Sequence, residues 1–388
     1  MERGVAVVVG TSYRAGPWAC RSLRAAGWRV VALHPVDDGR GRSTACLNPG
    51  RCPSATEDPE AFAEAVVARC REAGARVVLP LGEECVGAMA LADADLGGAL
   101  LVGPDAGQYS ALCDKALLGI TAGAAGVAHP LAATVTAEGL QGDWPPLPSV
   151  VKTREGVAPG ALAPVVRVAT SAERDRAVGA LVDAGAEAVV EELVEAPQWT
   201  VHAVRGADGT FDAVTAEVVR TTPRGAGTPS VLRMGEQLGS VLDATRRLFE
   251  AIDFRGPGNA QFFVRDGRPL VHDVNLRLPA SVALAMRAGL DMPARGVDAV
   301  LGLPLPPVPP PGPALGYVSV GDEVRMMLHG DGNGAGPGAG RVVRDIVRGA
   351  VAHGAMLDPP LRDPLWIATD LGTGAKNRAR RVARRVRK

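Results

Sequence analysis

The stretch 270-LVHDVNLRLPAS-281 reads as a strand that turns into a helix. Side chains two apart on a strand point the same way. Asp273, Asn275 and Arg277 therefore form one row, and Val274, Leu276 and Leu278 form an apolar row behind it. The preceding strand, 259-NAQFFV-264, is joined to it by 264-VRDGRP-269, whose Asp-Gly pair marks a hairpin. Counting back from that turn brings Gln261 close to Asp273. Gln, Asp and Asn offer only oxygen, which suits a hard ion such as Mg²⁺ and excludes a soft metal. With a single charge among the three, such an ion would bring nucleotide phosphates to complete its shell. Arg277 would then meet a phosphoryl or carboxylate oxygen. Taken alone, the row also fits the polar face of a half-exposed strand, so the rest of the chain has to decide.

The chain has 388 residues, a length that predicts two or three domains. Hydrophobic residues make up 47% but aromatics only 4%, so the cores must rest on Val, Leu and Ala. Formal net charge is zero, and nothing global points to a nucleic-acid partner. The final KNRARRVARRVRK nevertheless holds eight Lys/Arg and no acid, which leaves an acidic body with a basic tail. As a helix that tail would carry a thin apolar stripe of Ala379, Val382, Ala383 and Val386; a solvated, frayed end is the simpler expectation. No signal peptide and no apolar run of membrane-spanning length is visible. The six cysteines, from Cys20 to Cys113, show no CxxC and no histidine at ligand spacing. A reduced, cytoplasmic protein without a zinc site is expected.

Residues 1–105 alternate apolar runs (GVAVVV, WRVVAL, RVVLP, ALLV) with amphipathic stretches, the pattern of a parallel sheet covered on both faces. Right-handed crossovers make this a Rossmann-like layer. A helix is expected over 110–126. Beyond 129-HP-130 strands dominate and the pattern becomes α+β with antiparallel pairing. PLPPVPPPGP (304–313) reads as an extended proline segment, and HGDGNGAGPGAG (329–340) as a flexible loop.

Three features support the row. Lys152 ends the strand 148-PSVVK-152, where a side chain can enter a cleft. Two acids, Glu191 and Glu192, follow the apolar start of 189-VVEELV-194. Asp114 and Lys115 lie on a helix with an apolar face. Each alone fits an ordinary surface residue; their order and spacing do not look accidental.

With CDKALLGITAGAAGVAHP, PSVVK, VVEELVEAPQWTV and GNAQFFVRDGRPLVHDVNLRLPAS following one another, the chain resembles the ATP-grasp enzymes, most of all their carbamoyl-phosphate-synthase-like and amino-acid-ligase branch. The likeness covers about residues 1–305. It implies a Rossmann-like parallel-sheet domain at 1–107, two ATP-grasp α+β subdomains at 108–196 and 197–305, and a C-terminal extension at 306–388. It assigns Lys115 and Lys152 to the ATP phosphates, and Glu191, Glu192 and the Leu193 backbone to the hinge that meets adenine. Gln198 falls at the ribose, Gln261, Asp273 and Asn275 at Mg²⁺ (with Mn²⁺ as a substitute), and Arg277, with Lys152, at the transferred phosphoryl group. Asp273 stands where the family usually has Glu, Gln198 likewise, and Leu276 where Pro is frequent. The phosphate-covering lid should be 153–162.

The implied activity is ATP-dependent joining of a small-molecule carboxylate to an amine through an acyl phosphate, with a homodimer among the assemblies the family allows. Other readings stay open. A non-catalytic ATP-binding partner or sensor would show the same motifs. An NAD(P)-dependent oxidoreductase would use the first layer, where Gly10 and Gly16 do not complete GxGxxG and Asp37 and Asp38 follow the second strand. Biotin-dependent carboxylation would need a separate carrier, since no Met-Lys-Met site is present. The acid and the amine are not specified by any motif; Arg220, Arg224 and Arg233, in an expected loop over 220–235, are candidates for a substrate carboxylate.

Overall fold

The computed structural model describes residues 3–35, 43–46, 49–154, 165–222, 227–309, 315–329, 340, 344, 356–358, 360 and 363–368. Most of the expected lid, Asp37 and Asp38, Arg224, the greater part of the glycine-rich segment and the basic tail lie outside these residues.

The first third runs β1 (Val5–Val9), α1 (Gly16–Ala25), β2 (Arg29–Pro35), β3 (Gly50–Cys52), α2 (Pro59–Ala73), β4 (Ala75–Pro80), α3 (Glu83–Ala92) and β5 (Leu100–Leu101). Its sheet is wholly parallel, in the order β3-β2-β1-β4-β5. Successive residues of β1 alternate between two cores: Ala6 and Val8 face the α1 side, Val7 and Val9 the α2 side. This is why the run reads as continuously apolar.

Next come α4 (Ala106–Cys113) and α5 (Lys115–Ala124), two helices where one was expected. Asp114 separates them. Its backbone is extended and its side chain accepts the Ala116 N–H at 2.8 Å, so it caps a new helix. The second sheet is built from β6 (Ala132–Thr136), β7 (Gly139–Gln141), β8 (Ser149–Thr153), β9 (Val165–Val168) and β10 (Ala188–Glu192), in the order β7-β6-β10-β8-β9. Helix α6 (Ser171–Val182) packs on one face, with Val178 and Leu181 against Val151 and Val190.

The third sheet has seven strands: β11 (Gln198–Arg205), β12 (Phe211–Thr222), β13 (Thr228–Arg233), β14 (Gly256–Arg265), β15 (Arg268–Asn275), β16 (Gly316–Ser319) and β17 (Met356–Asp358). Their order is β15-β14-β11-β12-β13-β16-β17. Helix α7 (Gly239–Ala251) covers one face through Val241, Ala244, Leu248 and Phe249. Helices α8 (Val282–Arg287) and α9 (Met292–Val300) lie in the core that this sheet shares with α1 and β1. Helix α10 (Val320–His329) follows β16.

Three local results refine the sequence reading. The β14–β15 turn has Asp266 and Gly267 at φ of 51° and 75°, the left-handed pair that a two-residue hairpin needs. A bulge falls at His272: Phe262 pairs with Val271, yet Gln261 pairs with Asp273. Without that extra residue Gln261 would face His272. Within the expected loop 220–235, residues 220–222 end β12 and residues 228–233 are β13, and the two strands pair as far as Thr222 and Thr228. The described arginines of that stretch are engaged, Arg220 with Glu323 and Arg233 with Glu217. No helix among the described residues is long and apolar enough to cross a membrane.

Candidate active site

The row on β15 forms as a chain of hydrogen bonds. Asp273 Oδ2 accepts Gln261 Nε2 at 2.7 Å and Asn275 Nδ2 at 2.6 Å. Asn275 Oδ1 accepts Arg277 Nη2 at 2.8 Å, and Gln261 Oε1 accepts Gln198 Nε2 at 3.2 Å. Gln198 thus joins the row rather than standing apart from it. Behind the row, Val274, Leu276 and Leu278 are buried, which fixes the strand's register and so the direction of its polar face. Burial works against the Asp273 charge, but Lys115, the His272 ring and Lys152 oppose it and hold the carboxyl below its ordinary value.

The second sheet supplies the facing wall. Lys152 on β8 and Glu191 on β10 form a buried pair at 2.7 Å, and Lys152 Nζ also donates to the His272 carbonyl of β15 at 3.3 Å. That last bond spans the two sheets. His129 Nε2 lies 3.9 Å from Glu191 Oε1, and these two buried atoms have no hydrogen-bond partner. The His129 ring also bonds the Pro130 backbone. Burial outweighs the pull of Glu191 and pushes its pKa down, so the ring is neutral near pH 7 with a lone pair for a donor.

Two of the expected hinge groups are placed differently. Glu192 is next to Glu191 on the same strand and so points the other way. It accepts the Leu131 N–H at 3.2 Å and pairs with Arg265 at 3.3 Å. The Leu193 N–H donates to the Pro148 carbonyl at 3.1 Å.

Several groups at the site have no local signature. Arg154 donates from Nε to both Asp114 oxygens (3.0 and 2.9 Å) and pairs with Glu187 at 2.5 Å, tying the end of β8 to the cap of the helix that carries Lys115. Arg277 Nε donates to Glu83 Oε2 at 3.0 Å and Nη1 to the Tyr13 hydroxyl at 2.7 Å, one at the start of α3 and the other between β1 and α1. His272 stacks on Phe263 with centroids 4.3 Å apart and contacts Gln198 at 3.2 Å. Among the described residues, no group of three or more His, Cys, Asp or Glu could hold a metal ion. A cation here would rest on one carboxylate and two amides.

Two buried rings make stability pH-dependent. Burial pushes His202 on β11 and His272 down to about 4 from 6.5. Between those values the unfolded chain binds the protons and the folded chain does not. The rings' contribution is therefore complete above pH 6.5 and lost as pH falls toward 4. Urea midpoints should be lower at pH 5 than at pH 7.5, and His202→Leu should reduce that difference. Equal midpoints at the two pH values would contradict the assignment.

No family model and no curated protein matches this sequence. Solved structures do. An ADP complex of N5-carboxyaminoimidazole ribonucleotide synthetase is 16% identical with a TM-score of 0.66, over 84% of this chain and 85% of that one. An L-amino acid ligase from Bacillus licheniformis is 17% identical with a TM-score of 0.59, over 77% and 75%. The biotin carboxylase domain of Hydrogenobacter thermophilus 2-oxoglutarate carboxylase, a dimer in complex with MgADP, ADP and bicarbonate, is 16% identical with a TM-score of 0.60, over 78% and 71%. At these identities the likeness is one of architecture: the chain has the ATP-grasp fold, a parallel sheet followed by two largely antiparallel sheets.

Proposed function

We propose that this chain is an ATP-dependent carboxylate–amine ligase that works through an acyl phosphate. The observation that carries the reading is the row Asp273–Asn275–Arg277 facing the buried Lys152–Glu191 pair across the cleft. The donor set suits the groups the fold family uses. Glu191 Oε1 and His129 Nε2 are two buried acceptors without partners, a match for the exocyclic amine of adenine. Lys115 and Lys152 are the cations for the phosphates. Gln261, Asp273 and Asn275 would hold Mg²⁺ once the two amides turn their oxygens toward it. Bound there, Mg²⁺ would neutralise phosphate charge.

The protein's own groups then position and neutralise. Arg277 holds the substrate carboxylate beside the γ-phosphoryl group. A carboxylate oxygen forms the new P–O bond, the bond to the β–γ bridging oxygen breaks, and ADP leaves with the electron pair. An amine attacks the acyl carbon, phosphate leaves, and the amine's proton passes to solvent. Arg277 stabilises the oxyanion between these events.

The test is trapping. With MgATP, hydroxylamine and a panel of carboxylic acids, at least one acid should give a hydroxamate and an equal amount of ADP. ATP binding with no ADP release for any acid would favour the sensor reading instead. Asp37 and Asp38, on which the NAD(P) reading would draw, lie outside the described residues; under the ligase reading a fluorescence titration with NADH should show no binding.

A further inference from the structure

The two lysines proposed for the ATP phosphates stand on different layers of the fold. Lys152 belongs to β8, in the second sheet. Lys115 opens α5, whose Leu118 and Ala122 pack with Val271 and Val274 of β15, in the third sheet. Two cations can grip one triphosphate only if their elements are held at a fixed separation. The bond from Lys152 Nζ to the His272 carbonyl ties β8 to β15, but it does not reach α5.

Arg154 does reach it. This residue follows β8 directly, two positions past Lys152. Its Nε donates to both oxygens of Asp114, and its Nη2 lies 2.8 Å from Oδ2 of the same carboxylate. Its backbone is engaged as well. The Arg154 N–H donates to the Glu187 carbonyl at 3.1 Å, just ahead of β10, and the Arg154 carbonyl accepts the Lys115 N–H at 3.5 Å. One residue thus fastens the end of β8, the start of β10 and the cap of α5 to each other.

The pairing also acts on charge. Asp114 immediately precedes Lys115, and its carboxylate is fixed there because it caps α5 through the Ala116 N–H. Left unpaired, that negative charge would oppose phosphates arriving at Lys115. The planar fork of Arg154 pairs with both oxygens and offsets it. Lys115 itself faces the β15 row: burial disfavours the Asp273 charge, and Lys115 leads the groups that offset this.

We propose that Arg154 is a positioning residue for nucleotide binding: by pairing with Asp114 it holds Lys115 in place relative to Lys152 and leaves the Lys115 charge free for the phosphates of ATP. The inference rests on the nucleotide part of the ligase reading and adds to it a residue that needs no contact with the reacting atoms.

The experiment measures the affinity of the full chain for MgATP directly and for adenosine by competition. Arg154→Gln leaves Asp114 unpaired. It should bind MgATP about 10-fold more weakly, within the range of coupling in one charge network. Adenosine has no phosphate and should bind as it does to the wild-type chain. Arg154→Lys keeps the charge without the fork and should fall between the two. Asp114→Asn keeps a side chain that caps helices and removes the charge. On that background Arg154→Gln should cost less than about 3-fold, a comparison that holds even if Arg154→Gln alone folds poorly. Unchanged MgATP affinity in Arg154→Gln would overturn the inference and leave the ligase reading standing. So would an equal loss for adenosine, which marks a merely structural role, or a loss of about 10-fold on the Asp114→Asn background. A wild-type chain that binds no MgATP removes both readings.

Discussion

Asp273→Ala should lower ADP formation by at least about 10²-fold, the rate equivalent of several kcal/mol of charge stabilisation at a metal-assisted phosphoryl group. Asp273 is the only carboxylate in the row, and its neighbours Gln261 and Asn275 are neutral amides. Their oxygens can coordinate but cannot replace its charge. Asp273→Asn should therefore fail as badly as the alanine variant although its amide fits the space. Asp273→Glu should keep activity, because it only lengthens the arm. Turnover followed against Mg²⁺ concentration distinguishes these outcomes. Wild-type turnover in Asp273→Asn would mean that the row does not hold the cation.

Lys152→Met should have the largest effect on stability. Lys152 and Glu191 are nearly closed off, with side-chain exposures of 8% and 4%. Removing one member leaves the other as an uncompensated buried charge, which costs about 3–5 kcal/mol. Glu191→Leu should cost a similar amount. The double variant Lys152→Met/Glu191→Leu should recover most of the loss, since replacing both charges with apolar groups is often neutral or better. None of the three should turn over ATP, because each removes the cation proposed for the phosphates, the carboxylate proposed for the adenine amine, or both. Urea unfolding and ADP release, measured together, separate the structural part of the pair's role from the chemical part. Additive losses in the double variant would contradict the coupling.

Much of the fold was legible because the deciding signals are local. Continuous apolar runs alternating with amphipathic stretches announced a parallel sheet, and Asp266–Gly267 announced the hairpin that brings Gln261 to the row. Other features were legible in principle. Adjacent residues on a strand face opposite ways, so only one of Glu191 and Glu192 could enter the cleft, and Glu192 pairs with Arg265 instead. Asp114 is a good capping residue, yet the apolar pattern runs on through it and hid the break between α4 and α5.

The remainder could not be read from spacing. The bulge at His272 shifts the pairing by one residue without any glycine to mark it. Glu83 and Arg277 are 194 positions apart and meet only because two sheets share a core. Likewise β16 and β17, from the expected C-terminal extension, complete the third sheet. There Tyr317 and Asp358 form a buried hydrogen bond at 2.8 Å, and Arg14, from the segment between β1 and α1, reaches Asp322 at 2.5 Å. Such pairings depend on topology, which no local pattern encodes.

The most direct test of the central claim follows one oxygen atom. The acid that gives a hydroxamate is prepared with ¹⁸O in its carboxylate and turned over with MgATP and an amine. The account predicts one ¹⁸O in each inorganic phosphate released, because that carboxylate oxygen becomes the bridge of the acyl phosphate and departs with phosphorus. Unlabelled phosphate, or label in AMP, would contradict it.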